Sequence, residues 1–286
     1  MSAAAPQVQR FWDDRAAANF VFGGTGSGLA IALAFGFVPE TPARIVMLIA
    51  LALVGLGLFC VWLEIGKPLR FLNVYRHART SWMTREAMAG PPLLAAGLAA
   101  AVWGHAALFA LAGTLGLVFL YCQARILKQS IGIPAWRAPS LVPVIVATGL
   151  AEGAGILAMV AGLAGWPARD LAVGLGLAVA ARGLVWRAYR ARTGPGQVPT
   201  AAARALDRLT WPLLAVGTLV PLVLIAAVWL GPTWPLALAG LASLVTGWLA
   251  KYAIVIKAAH RQGFALGHTP ARGGGKPGAG TKPGWA

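Results

Sequence analysis

Apolar residues fall into eight blocks, separated by short polar connections that often carry proline or glycine. Each block runs to roughly 20 residues, the length a helix needs to cross the hydrocarbon core of a bilayer. The pattern predicts helices at about 16–38, 43–64, 87–103, 105–125, 140–163, 169–189, 210–231 and 234–257. Pro39 and Pro42 break the chain after the first helix, and Trp166–Pro167 and Trp234–Pro235 mark two later turns. Gly104 and His105 separate the third helix from the fourth. The predicted fold class is all-α, a polytopic membrane protein with eight transmembrane helices in a bundle. Around that domain, placed at 16–260, lie a polar segment at 1–15 and a tail at 261–286. The tail is rich in glycine, proline and lysine and cannot build a core. The connection at 190–209, with its TGPGQVPT run, reads as a solvated loop. The first block lacks a short apolar run followed by a cleavage site, so it reads as a retained helix.

Composition strengthens the membrane reading. The chain of 286 residues is 58% hydrophobic and 11% charged, where soluble domains carry about 25% charged residues. The net charge of +16 would suit nucleic acid if it lay on one soluble face, but it is interleaved with the spans. It is a topology signal first. With eight spans, every basic residue except Arg44 and Arg169 counts to the side that holds both termini, Lys251 with the tail and Arg182 from within the sixth block. The excess of Lys and Arg in cytoplasmic loops then places both termini in the cytoplasm, and the chain in a bacterial inner membrane.

The richest chemistry lies at the membrane surface between the second and third helices, in EIGKPLRFLNVYRHARTSWMTRE, residues 64–86. Lys67, Arg70, Arg76, Arg79 and Arg85 stand there with His77 and two aromatic anchors, Tyr75 and Trp82. Glu64 closes the second helix, and Glu86 opens the third, where an acid is favoured by the helix dipole. One reading is an interfacial belt with local charge pairing, the other a site at the membrane edge. Glu152 and Arg182 lie inside the fifth and sixth blocks, where ionisable residues face a bundle interior or a cavity. At 1.5 Å per residue both come to depths of roughly 10–20 Å. They are expected to pair or to share a polar pocket, as a structural ion pair or as part of a quinone or proton route. GGTGSG at 23–28 lacks the Lys-Ser/Thr pair of a phosphate loop. Its Gly24 and Gly28 permit close helix packing, and also leave room for a flat ligand. Cys60 and Cys122 offer no CxxC pair, which argues against a cysteine-held iron–sulfur cluster or zinc site in this chain. His77, His105, His260 and His268 are too few and too peripheral for intramembrane haem, and no metal site is expected.

The 64–86 run, followed later by PAWRAPSLVPVIVATGLAEG at 134–153, resembles the membrane anchor subunit of dimethyl sulfoxide reductase and its relatives in the polysulfide reductase/nitrite reductase anchor group. In that family a chain of the form HLGRP…RTSWLSRE follows the second helix. Its histidine aligns with Glu64, its arginine with Lys67, and RTSWLSRE with Arg79–Glu86; glutamate for histidine is a departure. WDDRAAANFVFGGTGSG and QGFALGHTP look similar to the anchor of phenylacetyl-CoA:acceptor oxidoreductase, a cytoplasm-facing relative. The resemblance implies a haem-free anchor that exchanges electrons with ubiquinone or menaquinone. Its implied partners are a four-cluster iron–sulfur subunit docked on the basic loops and a large catalytic subunit with a molybdenum or tungsten bis-pterin. With cytoplasmic loops, the expected direction is substrate oxidation and quinone reduction; a reductase drawing on quinol is the alternative. Glu64, Glu86 and Glu152 are the candidate acids. Lys67, Arg70, Arg79, Trp82, Arg85, Arg182, Gly24 and Gly28 are the candidate quinone contacts. A rival of another class is a transporter using Glu152 and Arg182.

Overall fold

The computed structural model describes residues 3–64, 74–75 and 78–265. Lys67, Arg70, Arg76, His77 and the tail beyond 265, with His268, lie outside the described residues. The described chain is all-α, with eight helices long and apolar enough to cross a membrane: α1 Asp14–Ala34, α2 Glu40–Glu64, α3 Trp82–Trp103, α4 Ala106–Gln129, α5 Leu141–Ala164, α6 Arg169–Arg190, α7 Thr200–Leu230 and α8 Trp234–Lys257. The chain is a multi-pass membrane protein.

The most enclosed span is α1, which packs against α2, α4 and α5. Small residues set this arrangement, because apolar side chains gain nothing from hiding in lipid and helices associate by close contact. A methyl group on Gly28 would run into the Gly149 carbonyl, and one on Gly153 into the backbone at Gly28 and Leu29. The space a flat ligand would need at Gly28 is therefore filled by the main chain of α5. On its other face α5 meets α8 through Gly155 and Gly240.

Two predicted boundaries move. The third helix starts at Trp82 rather than 87, because Ser81 caps it by accepting from the Thr84 N–H at 3.3 Å. Pro91 and Pro92 sit inside that helix without ending it. Much of the expected 190–209 loop is helical, since α7 begins at Thr200. Its first turns bury Ala202, Ala203 and Leu206 on one face, and Asp207 on the other accepts from Arg190. Alanine and leucine at helical spacing, not length of apolar run, make this extension.

Three spans contain a π turn: Asn19–Gly23 in α1, Ala215–Leu219 in α7 and Ala253–Lys257 in α8. A widened turn loosens the regular backbone ladder. In each, one carbonyl accepts from a buried side chain of another helix or connection: Asn19 O from Gln123 at 3.0 Å, Gly217 O from Arg182, and Ile254 O from Trp136 at 2.9 Å.

The two ends of the described chain clasp each other. Strand β1 (Ala3–Ala4) pairs antiparallel with β2 (Phe264–Ala265). The clasp continues through Gln9 N–H to Ala259 O at 2.9 Å and Arg261 N–H to Gln7 O at 2.7 Å. Beside it His260 is 8% exposed, its Nδ1 buried without a partner. Burial pushes its pKa below the ordinary 6.5. Above that pH His260 is neutral with the clasp open or closed. Below it the proton binds the open form more readily, so the clasp weakens as pH falls. The protection of the Gln9 and Arg261 amides against hydrogen exchange, relative to the intrinsic rate at each pH, is expected to fall below about pH 6.5 and to hold in His260→Leu.

Candidate functional site

A cavity of about 630 Å³ opens between α2 and α3, beneath Val74 and Tyr75. Its walls are apolar, with Leu58, Phe59, Trp62, Met83 and Leu94 among them. The polar exceptions are Glu64, Glu86 and Tyr75, which cluster at the end where α2 stops and α3 starts. Volume and lining match a site for a drug-sized apolar molecule with a polar group to be fixed at one end.

The two carboxyls differ. Glu64 ends α2 beside the residues that start α1, where Arg15 donates to the Leu63 carbonyl at 2.7 Å and Asp13 reaches the Glu64 carboxyl. The hydrogen bond from the Arg15 guanidinium holds Asp13 down at about 2, so Asp13 is a charged neighbour at any physiological pH. The Oε1 atom of Glu64 is buried without a protein partner. Glu86 is 6% exposed and held from behind. Asn19 Nδ2 donates to its Oε1 at 3.0 Å, and Gln123 also bonds the carboxyl.

The basic candidates take other places. Arg79 is exposed, and its carbonyl accepts from Arg85, whose Nε also donates to Ala78 O at 2.9 Å. Arg85 thereby ties the connection down onto α3. The Trp82 ring stands near two guanidiniums, Arg85 at 4.1 Å and Arg125 at 4.6 Å from its centroid. It lines a second, smaller hollow with Trp12, Ile126 and Gln129. Neither Arg79, Arg85 nor Trp82 lines the large cavity.

Deeper in the bundle lies a separate polar cluster. The expected Glu152–Arg182 pair does not form. Glu152 Oε2 instead takes Lys251 Nζ at 2.5 Å, with both side chains fully buried, and accepts from Thr25 Oγ1 at 2.7 Å. Trp248 Nε1 donates to Thr25 at 3.0 Å. Arg182, also fully buried, donates to neutral oxygens, Gly217 O, Ser243 O at 2.7 Å and Thr246 Oγ1 at 3.3 Å, while its Nε is left without a partner. The carbonyl that the α7 π turn presents supplies what a carboxylate was expected to. Lys251 escaped the sequence reading because it counted with the basic tail. The signal was there, since five apolar or aromatic residues and Lys257 follow it in α8. Asn19 and Gln123 were missed as well; a single amide inside an apolar span was the available sign.

Residues 19–138 match the model of the DMSO reductase anchor subunit family, DmsC. That stretch is similar to DMSO reductase anchor sequences. No curated protein matches the chain. The matched part runs from Asn19 through α4, so it holds the whole cavity with Glu64, Glu86 and Gln123. Glu152, Arg182 and Lys251 stand beyond it.

Proposed function

We propose that this chain is the haem-free quinone-binding anchor of a three-subunit molybdenum or tungsten bis-pterin oxidoreductase in a bacterial inner membrane. The observation that carries the reading is the cavity between α2 and α3, apolar along its length and closed at one end by two carboxyls. A quinone matches that polarity, with a flat oxygen-bearing head and a greasy tail. When bound it takes up two electrons and two protons. Glu64 offers an unpartnered Oε1 at that end, placed to hold or hand over a proton at a head-group oxygen. Glu86, gripped by Asn19 and Gln123, holds a second proton at a fixed position. Tyr75, whose hydroxyl donates to Ala87 O at 3.4 Å, covers that end of the cavity.

Arg79, Arg125 and Arg137 decorate the face where the 64–82 and 129–141 connections emerge, and suit docking of the iron–sulfur subunit. The charge bias of the loops supports a cytoplasmic position for that face and for the catalytic dimer. Oxidation of a substrate there, with electrons passing from the iron–sulfur subunit to quinone, is the direction that follows. A transporter finds less support, because the Glu152–Lys251 pair is sealed from every side.

Gly55 tests the pocket. It lines the cavity, and nothing stands within 4 Å of where its Cβ would be. Gly55→Phe is expected to fill the cavity without displacing a neighbour. It should weaken binding of a fluorescent quinone-site inhibitor to the purified complex by about 10- to 100-fold, with subunit composition unchanged. Undiminished binding would move the quinone elsewhere.

A further inference from the structure

The start of α1 stands against the end of α2, and one carboxyl from each meets there. Gln9 sets the chain just ahead of them. Its backbone N–H is held by Ala259 in the clasp, and its Oε1 accepts from the Phe11 and Trp12 amides at 2.9 and 2.7 Å. Asp13 follows as the N-cap of α1. Arg15 grips it, with Nη2 and Nε at 2.7 and 3.0 Å from Oδ2, and turns Nη1 to the Leu63 carbonyl at 2.7 Å. The guanidinium thus ties Asp13 to the last turn of α2, where its carboxyl bonds that of Glu64. The Ala16 N–H also donates to Glu64. Two carboxyls bond each other only when one carries a proton, because a carboxylate has no donor. Arg15 forms its ion pair with Asp13 and keeps the charge there, so the shared proton belongs to Glu64. The pair also spans two environments. Glu64 lines the cavity with its Oε1 buried, whereas the Asp13 side chain is 48% exposed.

We propose that Asp13 and Glu64 form a two-carboxyl relay, in which Asp13 takes a proton from bulk water and passes it to Glu64 for delivery into the cavity. This role rests on the pocket reading above; the shared proton itself does not. When Glu64 gives up its proton, the carboxyl O–H bond breaks as one forms on a quinone head-group oxygen, the electrons arriving from the iron–sulfur subunit. Glu64 is then a carboxylate facing a carboxylate. The charges that bear on the pair are Arg15 and the two carboxyls themselves, with Glu86 and Tyr75 on the same cavity wall. One guanidinium does not neutralise two anions, and like-charge repulsion raises the proton affinity of Asp13. Asp13 then takes a proton from a solvent hydronium and hands it along the hydrogen bond, and both residues return to their starting state. Asp13 touches no quinone and acts only through Glu64, as a positioning residue. Its cap needs no charge, since asparagine caps a helix as well as aspartate does.

The test is Asp13→Asn in the purified complex, which keeps the cap and removes the proton carrier. Quinone-linked kcat is expected to fall by about tenfold, less than a positioned acid contributes directly, with KM for quinone and subunit composition unchanged. The loss should deepen as pH rises, because protons then reach Glu64 straight from water. Imidazole, a small carrier that titrates near neutral pH, should restore most of the rate. A cap with a structural role alone predicts neither effect. An unchanged kcat, a loss with an unaltered pH profile, or a loss that imidazole leaves in place overturns the proposal. Where Asp13→Asn fails to assemble, infrared spectra of the full-length parent chain in nanodiscs at neutral pH are read instead. A protonated-carboxyl band that disappears in Glu64→Gln supports the proposal, and the lack of such a band overturns it. Failure of the pocket reading shows separately, as undiminished inhibitor binding in Gly55→Phe, and leaves the infrared result standing.

Discussion

Glu86→Gln is expected to lower quinone-linked turnover of the assembled complex by about 100-fold or more, the usual worth of a positioned acid or base. The substitution is nearly isosteric. The amide oxygen of the new side chain still accepts from Asn19 Nδ2, which now lies 3.0 Å from the carboxyl, so the start of α3 keeps its anchor on α1. What disappears is a proton that can be held and released at a fixed point of the cavity wall. Inhibitor binding should survive and kcat should not, and steady-state kinetics on the complex separates the two. Glu64→Gln makes the comparison, since its Oε1 has no protein partner to preserve. A smaller loss is expected there, because the neighbouring Asp13 carboxyl remains beside the substituted side chain. Full turnover in Glu86→Gln would remove this residue from proton handling.

Lys251→Met is expected to cost the fold about 3–5 kcal/mol, the penalty for leaving one member of a buried ion pair alone. Methionine fills much the same volume, so the loss is electrostatic rather than one of packing. Glu152 would keep its Thr25 hydrogen bond and lose the ammonium, deep in a span where no solvent reaches it. Adding Glu152→Gln in the same chain removes the stranded charge and should return most of the stability. Thermal unfolding in mild detergent reads both. A single variant as stable as the parent, or a double variant no better than the single one, would show that the pair is not holding α5 to α8.

The architecture was legible because lipid permits few solutions: a run of about 20 apolar residues between polar turns is a span, and the eight runs are spans. The start of α7 was not legible by that rule. Its first turns carry Arg204, Asp207 and Arg208, and only the Ala202, Ala203 and Leu206 stripe marks the buried face. At the cavity, Glu64 and Glu86 stood out as acids at helix ends, and the fold brings them to one wall. The partner of Glu152 did not stand out. Hydropathy says that a buried carboxylate needs a cation, but not whether α6 or α8 provides it. That choice depends on how the helices rotate, and the α5–α8 contact at Gly155 and Gly240 decides it. Arg182 looked like the obvious partner because a π turn, invisible in composition, was not there to offer it a carbonyl.

The clasp between β1 and β2 carries a consequence for the order of biogenesis. Ala3 and Ala4 have no strand to pair with until Phe264 and Ala265 have been made, and those residues follow the last span. Throughout synthesis and insertion the leading segment is therefore single, and it closes only on a chain whose eight helices are all in the bilayer. A ribosome that stops early, or a helix that fails to insert, leaves the front end open. The pairing thus reports that every span between the two strands is in place, and a protease or chaperone that reads the unpaired segment would distinguish inserted chains from stalled ones.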